Sequence, residues 1–149
     1  MKRRVVVTGM GVVSPVGSTV EGAWKRVVEG RSGVRTIDAY DVSHYPTRFA
    51  GLVEGFDVDA YLSSRDQRRT DAFVHYGIAA SQDAVAHSGL DIAANADRVG
   101  VNVGSGIGGI GTIEQNAVVL EKTQSIKKIS PFFVPSSIIN MVSGYVSIQ

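Results

Sequence analysis

Glycine is concentrated in one short stretch of the chain, which makes that stretch the first candidate for a binding site. Residues 104–111 contain five glycines. Glycine in ordered structure costs conformational entropy, so such a cluster marks a backbone that turns sharply or is approached closely. Two overlapping G-x-G-x-x-G patterns begin at Gly104 and Gly106. The stretch fits either a nucleotide-binding loop or the wall of another pocket.

The nucleotide-binding alternative lacks its acidic partner. A dinucleotide site needs an acidic residue about twenty positions on, at the end of the next strand. Glu121 has that spacing but falls inside a predicted helix, and no strand precedes it. Ser105 is not a G-x-S-x-G nucleophile, because Val103 and Ile107 occupy the required glycine positions. A dinucleotide-binding domain therefore stays only as an alternative, no cofactor is predicted, and Ser105 is expected to be a small residue in a tight loop.

The remaining polar candidates are histidines and basic residues. His44, His75 and His87 lack metal-ligand spacing, and the chain has no cysteine, so no metal site and no thiolate chemistry are predicted within it. Two basic clusters stand out, Arg65, Arg68 and Arg69, and Lys127 and Lys128. The arginines lie at the positive end of a predicted helix, where acidic side chains are usual. They form either a solvated face or a docking site for an acidic partner.

Composition indicates an ordinary globular protein. The chain has 149 residues, 44% of them hydrophobic and 19% charged, with a net charge of +1. That charge is too small to indicate nucleic-acid binding, and no apolar segment approaches the length of a membrane span. We therefore expect a cytoplasmic protein without nucleic-acid or membrane partners.

Four helices are predicted to position these residues. They are Glu21–Glu29, Arg65–Ser88, Thr112–Lys122 and Ser136–Ile148. The second has a capping box formed by Ser64 and Gln67, with Gly89 as its C-cap, and its Asp66 and Asp71 are expected to be solvated charges. The fourth is apolar nearly all round, which indicates burial in a large core or a subunit interface.

Two strands, each buried on both faces, are predicted at Arg4–Ser14 and Val99–Val103. Residues 31–63 are expected to be mostly loop with short strand pieces. Alternation of strands and helices favours an α/β layered fold. Because two strands do not make a stable sheet, we expect the chain to stop partway through a larger domain.

Three segments resemble one enzyme family. They are KRRVVVTGMGVVSPVG at residues 2–17, NVGSGIGG at 102–109 and KISPFFVPS at 128–136. Together they resemble the elongating β-ketoacyl-[acyl-carrier-protein] synthases, most closely the bacterial synthase II type. The resemblance implies a thiolase-like α/β fold built from two similar halves, of which residues 1–149 would be a partial N-terminal half, in a homodimer.

The resemblance also implies a reaction, decarboxylative Claisen condensation of acyl groups with malonyl-[acyl-carrier-protein] in fatty-acid elongation. In the family a cysteine nucleophile and two histidines carry it out; the implied positions lie beyond residue 149, so no catalytic residue is expected in this chain. Ile107 matches an aliphatic gate to the acyl pocket, and Phe133 a residue lining that pocket from the neighbouring subunit. Arg65, Arg68, Arg69, Lys127 and Lys128 match basic positions that meet acyl carrier protein.

Within the family, a polyketide ketosynthase or a catalytically inactive chain-length factor is the alternative. A third interpretation is a piece that dimerises without activity of its own.

Overall fold

The computed structural model describes residues 2–149 and is mainly helical. The helices are α1 (Val20–Val28), α2 (Ser64–Gln67), α3 (Ala72–Ser88), α4 (Ile92–Asn95), α5 (Ile110–Thr123), α6 (Phe133–Ser137) and α7 (Met141–Ile148). Short 3₁₀ helices span Val58–Ala60, Ala96–Arg98 and Ile126–Lys128. Two strands, β1 (Val34–Thr36) and β2 (Phe49–Gly51), pair antiparallel with Val34 opposite Gly51.

Helix α3 forms the centre of the core. Its Val74 and Ile78 are fully buried and pack with Leu62 and with Val142 of α7. A Cβ at Gly77 would overlap the methyl groups of Val142, so glycine lets α7 approach α3 closely. This contact fixes the C-terminal helix against the helix that follows the arginine cluster.

The N-terminal segment packs against another face of α3. A Cβ at Gly9 or Gly11 would collide with carbonyl oxygens of α3. Between these glycines, the Met10 N–H donates to Nδ1 of His87 over 3.1 Å. The sequence pattern G-x-G thus serves here as a flat backbone surface against a helix.

A polar pair lies at the edge of the core. The Tyr61 hydroxyl donates to Asp83 of α3 over 3.1 Å. Burial raises the pKa of Tyr61, and the bond to Asp83 raises it further. The Tyr61 hydroxyl therefore keeps its proton, and its bond to Asp83 connects the end of the 3₁₀ helix Val58–Ala60 to α3.

The two predicted buried strands are wrong for the described residues. Within residues 2–149, neither Arg4–Ser14 nor Val99–Val103 enters a β-ladder. Val5 and Val7 are 92% and 80% exposed. A strand buried on both faces needs neighbours on both sides, and the described part of the chain supplies none. The expected loop with short strand pieces at 31–63 is confirmed by β1 and β2.

Two helices agree with the sequence prediction. Helix α1 begins and ends one residue earlier than the predicted Glu21–Glu29. Thr19 caps it, because the Thr19 Oγ1 accepts a hydrogen bond from the Gly22 N–H. Helix α5 extends the predicted Thr112–Lys122 slightly at both ends. Ala23 of α1 is buried, but Trp24 and Val28 are 66% and 67% exposed, so much of the apolar face of that helix is uncovered within residues 2–149.

The two longer predicted helices are each broken. The predicted Arg65–Ser88 consists of α2 and α3, separated by residues 68–71, hereafter the basic linker. Its cap is Ser63, not Ser64, because the Ser63 Oγ accepts from the Asp66 N–H. Gly89 ends α3 with a left-handed φ of 63°, as predicted. The predicted Ser136–Ile148 is likewise divided, into α6 and α7, at residues 138–140.

Candidate functional site

The glycine loop, residues 104–109, is a tight turn that leads into α5. Ser105 closes it by accepting the Gly108 N–H on its Oγ over 3.0 Å. Gly108 has a φ of 79°, in the left-handed region that favours glycine. Ser105 is therefore a small hydrogen-bonding residue of the loop, as expected from the sequence.

Close packing against α6 explains two of the glycines. The Gly109 N–H donates to the carbonyl oxygen of Ser137 over 3.1 Å. A Cβ at Gly109 would collide with the carbonyl oxygen of Ser136, and one at Gly108 with that of Ser137. The cluster of glycines thus allows backbone to lie directly on backbone.

Ile107 is the large side chain of this loop, and it is 65% exposed. A Cβ at Gly104 or Gly106 would meet open space, so the flanking backbone leaves room for Ile107 to move. Phe133, half-buried, begins α6, and its carbonyl accepts from the Ser137 hydroxyl over 2.6 Å. Helix α6 therefore places Phe133 about one turn from the residues that contact the glycine loop.

The beginning of α5 is capped from another part of the chain. Its N-cap is Gly109, which has no side chain to cap with. Instead Oδ2 of Asp71 accepts the Thr112 N–H over 2.9 Å and the Thr112 hydroxyl over 2.7 Å. The prediction that Asp71 is a solvated charge is wrong, because the carboxylate serves a helix whose donor lies 41 residues away in sequence.

This geometry opposes the nucleotide-binding alternative. In that site the pyrophosphate accepts the amide hydrogens at the start of the helix. Here a carboxylate already accepts one of them, and its negative charge repels phosphate. Glu121 lies inside α5 rather than at a strand end, as the sequence predicted.

The basic linker meets α6 at the same place. The Ser136 hydroxyl donates to the carbonyl oxygen of Arg69 over 2.7 Å. The Arg69 guanidinium lies 4.8 Å from the ring centroid of Phe132, a cation–π distance. Residues 69–71, 109–112 and 136–137 thus form one three-way contact, hereafter the junction.

The two basic clusters belong to segments that meet at Phe132, over whose ring the Arg69 guanidinium lies. Lys127 and Lys128 belong to the 3₁₀ helix that precedes Phe132, and both are exposed, as are Arg65 and Arg68. Among residues 2–149, none of the five predicted docking residues forms an ion pair. Their charge is therefore available to an acidic partner.

The histidines have separate structural roles. His75 shares a hydrogen bond with the Thr70 hydroxyl over 3.0 Å, and His87 binds the backbone of Met10. His44 is exposed. In the described part of the chain, no three acidic or histidine side chains gather into a group that could hold a metal ion.

Asp71 is the site residue that the sequence interpretation missed. A signal existed, because Asp71 falls inside the predicted helix Arg65–Ser88, and aspartate favours the N-cap of a helix over its interior. A helix that begins at glycine without a local capping side chain also needs a partner elsewhere. The sequence did not show that the carboxylate of Asp71 is the partner that the start of α5 needs.

Comparison with known proteins identifies similar chains. A family model described as the N-terminal domain of β-ketoacyl synthase matches residues 2–149. The 3-oxoacyl-[acyl-carrier-protein] synthase 2 of Vibrio harveyi is 54% identical over 99% of this chain and 36% of its own length. That of Coxiella burnetii is 48% identical with the same coverage. The chain thus spans about 36% of the curated relatives it matches.

Solved structures give the fold. A ketosynthase bound to a hexaketide and in complex with its type II polyketide acyl-carrier protein has a TM-score of 0.78 and 29% identity, over 99% of this chain and 40% of that one. The ishigamide ketosynthase/chain length factor has a TM-score of 0.83 and 24% identity, over 100% and 37%. The predicted α/β, thiolase-like fold class is thereby confirmed. No helix within residues 2–149 is long and apolar enough to cross a membrane.

Proposed function

The chain belongs to the β-ketoacyl synthase family, and from this premise we propose that the full-length protein is a 3-oxoacyl-[acyl-carrier-protein] synthase II. The observation that carries the proposal is the 54% identity to a relative of that name over 99% of the chain. We assign residues 1–149 to the N-terminal half of the thiolase-like fold.

The reaction we propose is the condensation that the family resemblance implies. A cysteine thiolate attacks the carrier thioester, takes the acyl group and releases the carrier as its thiolate. Malonyl-carrier protein then loses CO₂, and the resulting carbanion attacks the enzyme thioester and frees the cysteine. The chain contains no cysteine, so residues 1–149 contribute binding surfaces rather than the nucleophile.

Ile107 is proposed to gate the acyl pocket. An exposed branched side chain, with open space beside Gly104 and Gly106, can exclude water when closed and move when an acyl chain enters. We assign Phe133 to the lining of the same pocket in the neighbouring subunit of a homodimer. The match of KISPFFVPS at residues 128–136 to the family segment supports this assignment.

Acyl carrier protein is proposed to dock on the basic residues. Four of the five candidate side chains are exposed, and none has an acidic partner within residues 2–149. A ketosynthase 29% identical to this chain was solved in complex with its acyl-carrier protein, which supports the assignment. The expected cytoplasmic location is part of the same proposal.

The polyketide alternative has weaker support. The polyketide ketosynthase solved with its acyl-carrier protein is 29% identical to this chain, against 54% for the 3-oxoacyl-[acyl-carrier-protein] synthase 2 of Vibrio harveyi. A chain-length factor would bind carrier proteins without forming the acyl-enzyme. Formation of a 3-oxoacyl-carrier product therefore distinguishes an active synthase from a chain-length factor.

The test uses the purified full-length protein with acyl- and malonyl-loaded carrier protein. We expect a 3-oxoacyl-carrier product, extended by one malonyl-derived unit, and one CO₂ released for each product, both followed by mass spectrometry. Omitting the acyl primer is the control. Carrier binding without condensation would overturn the proposal and favour the inactive relative.

A further inference from the structure

Asp71 stands at the N-cap position of α3, and its carboxylate accepts two hydrogen bonds from the start of α5. We propose that Asp71 is a positioning residue that fixes the glycine loop, and with it Ile107, relative to the carrier-docking arginines. The functional part of this proposal rests on the proposed synthase activity. Its structural part concerns only contacts within residues 2–149.

Asp71 occupies the N-cap position of α3, yet it makes no side-chain cap bond to that helix. An N-cap aspartate normally accepts an amide hydrogen two or three residues further along its own helix. Here both bonds of Oδ2 go to Thr112, the third residue of α5. The Asp71 carboxylate therefore caps α5 and not α3, the helix that it directly precedes.

Packing explains why α5 needs a cap from outside. Its own N-cap position must be glycine, because a Cβ at Gly109 would collide with the Ser136 carbonyl oxygen. A local serine or aspartate cap is therefore sterically excluded. A charge-assisted bond from another segment replaces it, and such bonds are stronger than neutral ones.

The same segment carries the docking residues. Arg68 and Arg69 lie three and two positions before Asp71 in the basic linker, and the Arg69 carbonyl accepts a hydrogen bond from the Ser136 hydroxyl. Displacement of the linker by a bound partner is thus transmitted to the start of α5 through one carboxylate. The glycine loop ends at that start, so Ile107 lies three positions from the first residue of α5.

Two substitutions in the full-length protein separate the effect of the Asp71 charge from that of the Thr112 hydroxyl. Asp71→Asn keeps the size of the side chain but removes the charge that strengthens both bonds. Thr112→Val removes only the hydroxyl bond and leaves the backbone donor, while Thr112→Ser retains both donors. Asp91→Asn is the matched control, because Asp91 caps its own short helix α4 through the Ala94 N–H over 2.9 Å.

Amide hydrogen exchange of peptides covering residues 104–112 is the first measurement, and it requires no substrate. We expect Asp71→Asn to speed exchange there by about threefold to thirtyfold, Thr112→Val to have a smaller effect, and Thr112→Ser and Asp91→Asn to match the wild type. Adding unacylated carrier protein should slow exchange of these peptides in the wild type and not in Asp71→Asn.

The second measurement is kcat/KM for long and short acyl primers. We expect Asp71→Asn to change the ratio of long to short primers, with Thr112→Ser at the wild-type value. Unchanged exchange at 104–112, or an equal loss for all primers together with a lower Tm, would overturn the proposal. An inactive wild type would refute the proposed function instead, and the exchange data would still test the Asp71 contact.

Discussion

At the scale of single residues, Ile107 is a branched apolar side chain placed among glycines. It is 65% exposed in a loop whose glycines leave space around it. In the proposed gating role, the volume of this side chain controls the entry of acyl chains into the pocket. Its replacement by a larger one is therefore informative.

We expect Ile107→Phe in the full-length enzyme to lower kcat/KM for long acyl primers about tenfold relative to short ones. The larger ring fills the space that a long chain needs, whereas a short primer requires less of it. Initial rates with carrier-bound primers of graded length measure the ratio, with Ile107→Val as control. Equal loss across chain lengths would contradict the gating role.

Gly109 tests the close contact between the glycine loop and α6. We expect Gly109→Ala to lower the free energy of unfolding by about 1–3 kcal/mol, because its Cβ would collide with backbone that cannot move independently. Chemical denaturation of the full-length protein measures this. Gly100→Ala is the matched control, since a Cβ there meets nothing within 4 Å and should leave stability nearly unchanged; equal effects of the two variants would argue against the contact.

At the scale of elements, the sequence predicted helices well where the stabilising contacts are local. Helix α1 and the Gly89 end of α3 follow from capping rules acting over a few residues. The break at the basic linker did not follow, because Asp71 bonds to a residue 41 positions away. Periodicity reports which face of a helix is apolar, but not where a distant partner interrupts it.

The two predicted buried strands are absent from residues 2–149 for a related reason. Their composition is typical of strands, but a strand exists only through its neighbours. Within residues 2–149 those neighbours are missing, so Val5 and Val7 remain exposed. The site residues Ile107 and Phe133 came from family resemblance, since neither periodicity nor spacing distinguishes a gate from an ordinary exposed side chain.

The basic linker is an element whose charge can be tested directly. We expect Arg68→Glu to raise the KM for carrier-bound substrates about threefold to tenfold at low ionic strength, because it turns an attraction into a repulsion. The effect should shrink as salt screens it. Steady-state kinetics at two salt concentrations measure this.

Arg98→Glu is the control for that experiment. Arg98 is exposed and lies in a different short helix, Ala96–Arg98. The same change of net charge there should leave the KM unaltered. If both charge reversals raised the KM equally, the cause would be the overall electrostatic potential of the protein and not a docking site at Arg68.

At the scale of the whole molecule, much apolar surface is uncovered. Besides the N-terminal valines, Trp24 and Val28 are each about two-thirds exposed, and Ile148 is 85% exposed. An open apolar groove lies between the N-terminal segment and α1. Contiguous apolar surface of this kind promotes association.

We therefore expect the 149-residue chain, expressed alone, to be oligomeric or poorly soluble. Sedimentation velocity over a range of concentrations measures this directly. Val5→Lys combined with Val7→Lys should reduce association, because both side chains are almost fully exposed. A monomeric chain with a cooperative thermal transition would show the expectation to be wrong.

The packing of the N-terminal segment on α3 also bears on how the chain is synthesised. The hydrogen bond from Met10 to His87 joins residues 77 positions apart, so the segment around Met10 cannot dock after its synthesis until nearly all of α3 has followed it. Closing so long a loop costs entropy, and contacts of this range form slowly. Until then the backbone at Gly9 and Gly11 has no helix to pack against, and partly folded chains of this kind aggregate or bind chaperones. Translation speed between these two segments consequently sets how long the nascent protein stays vulnerable.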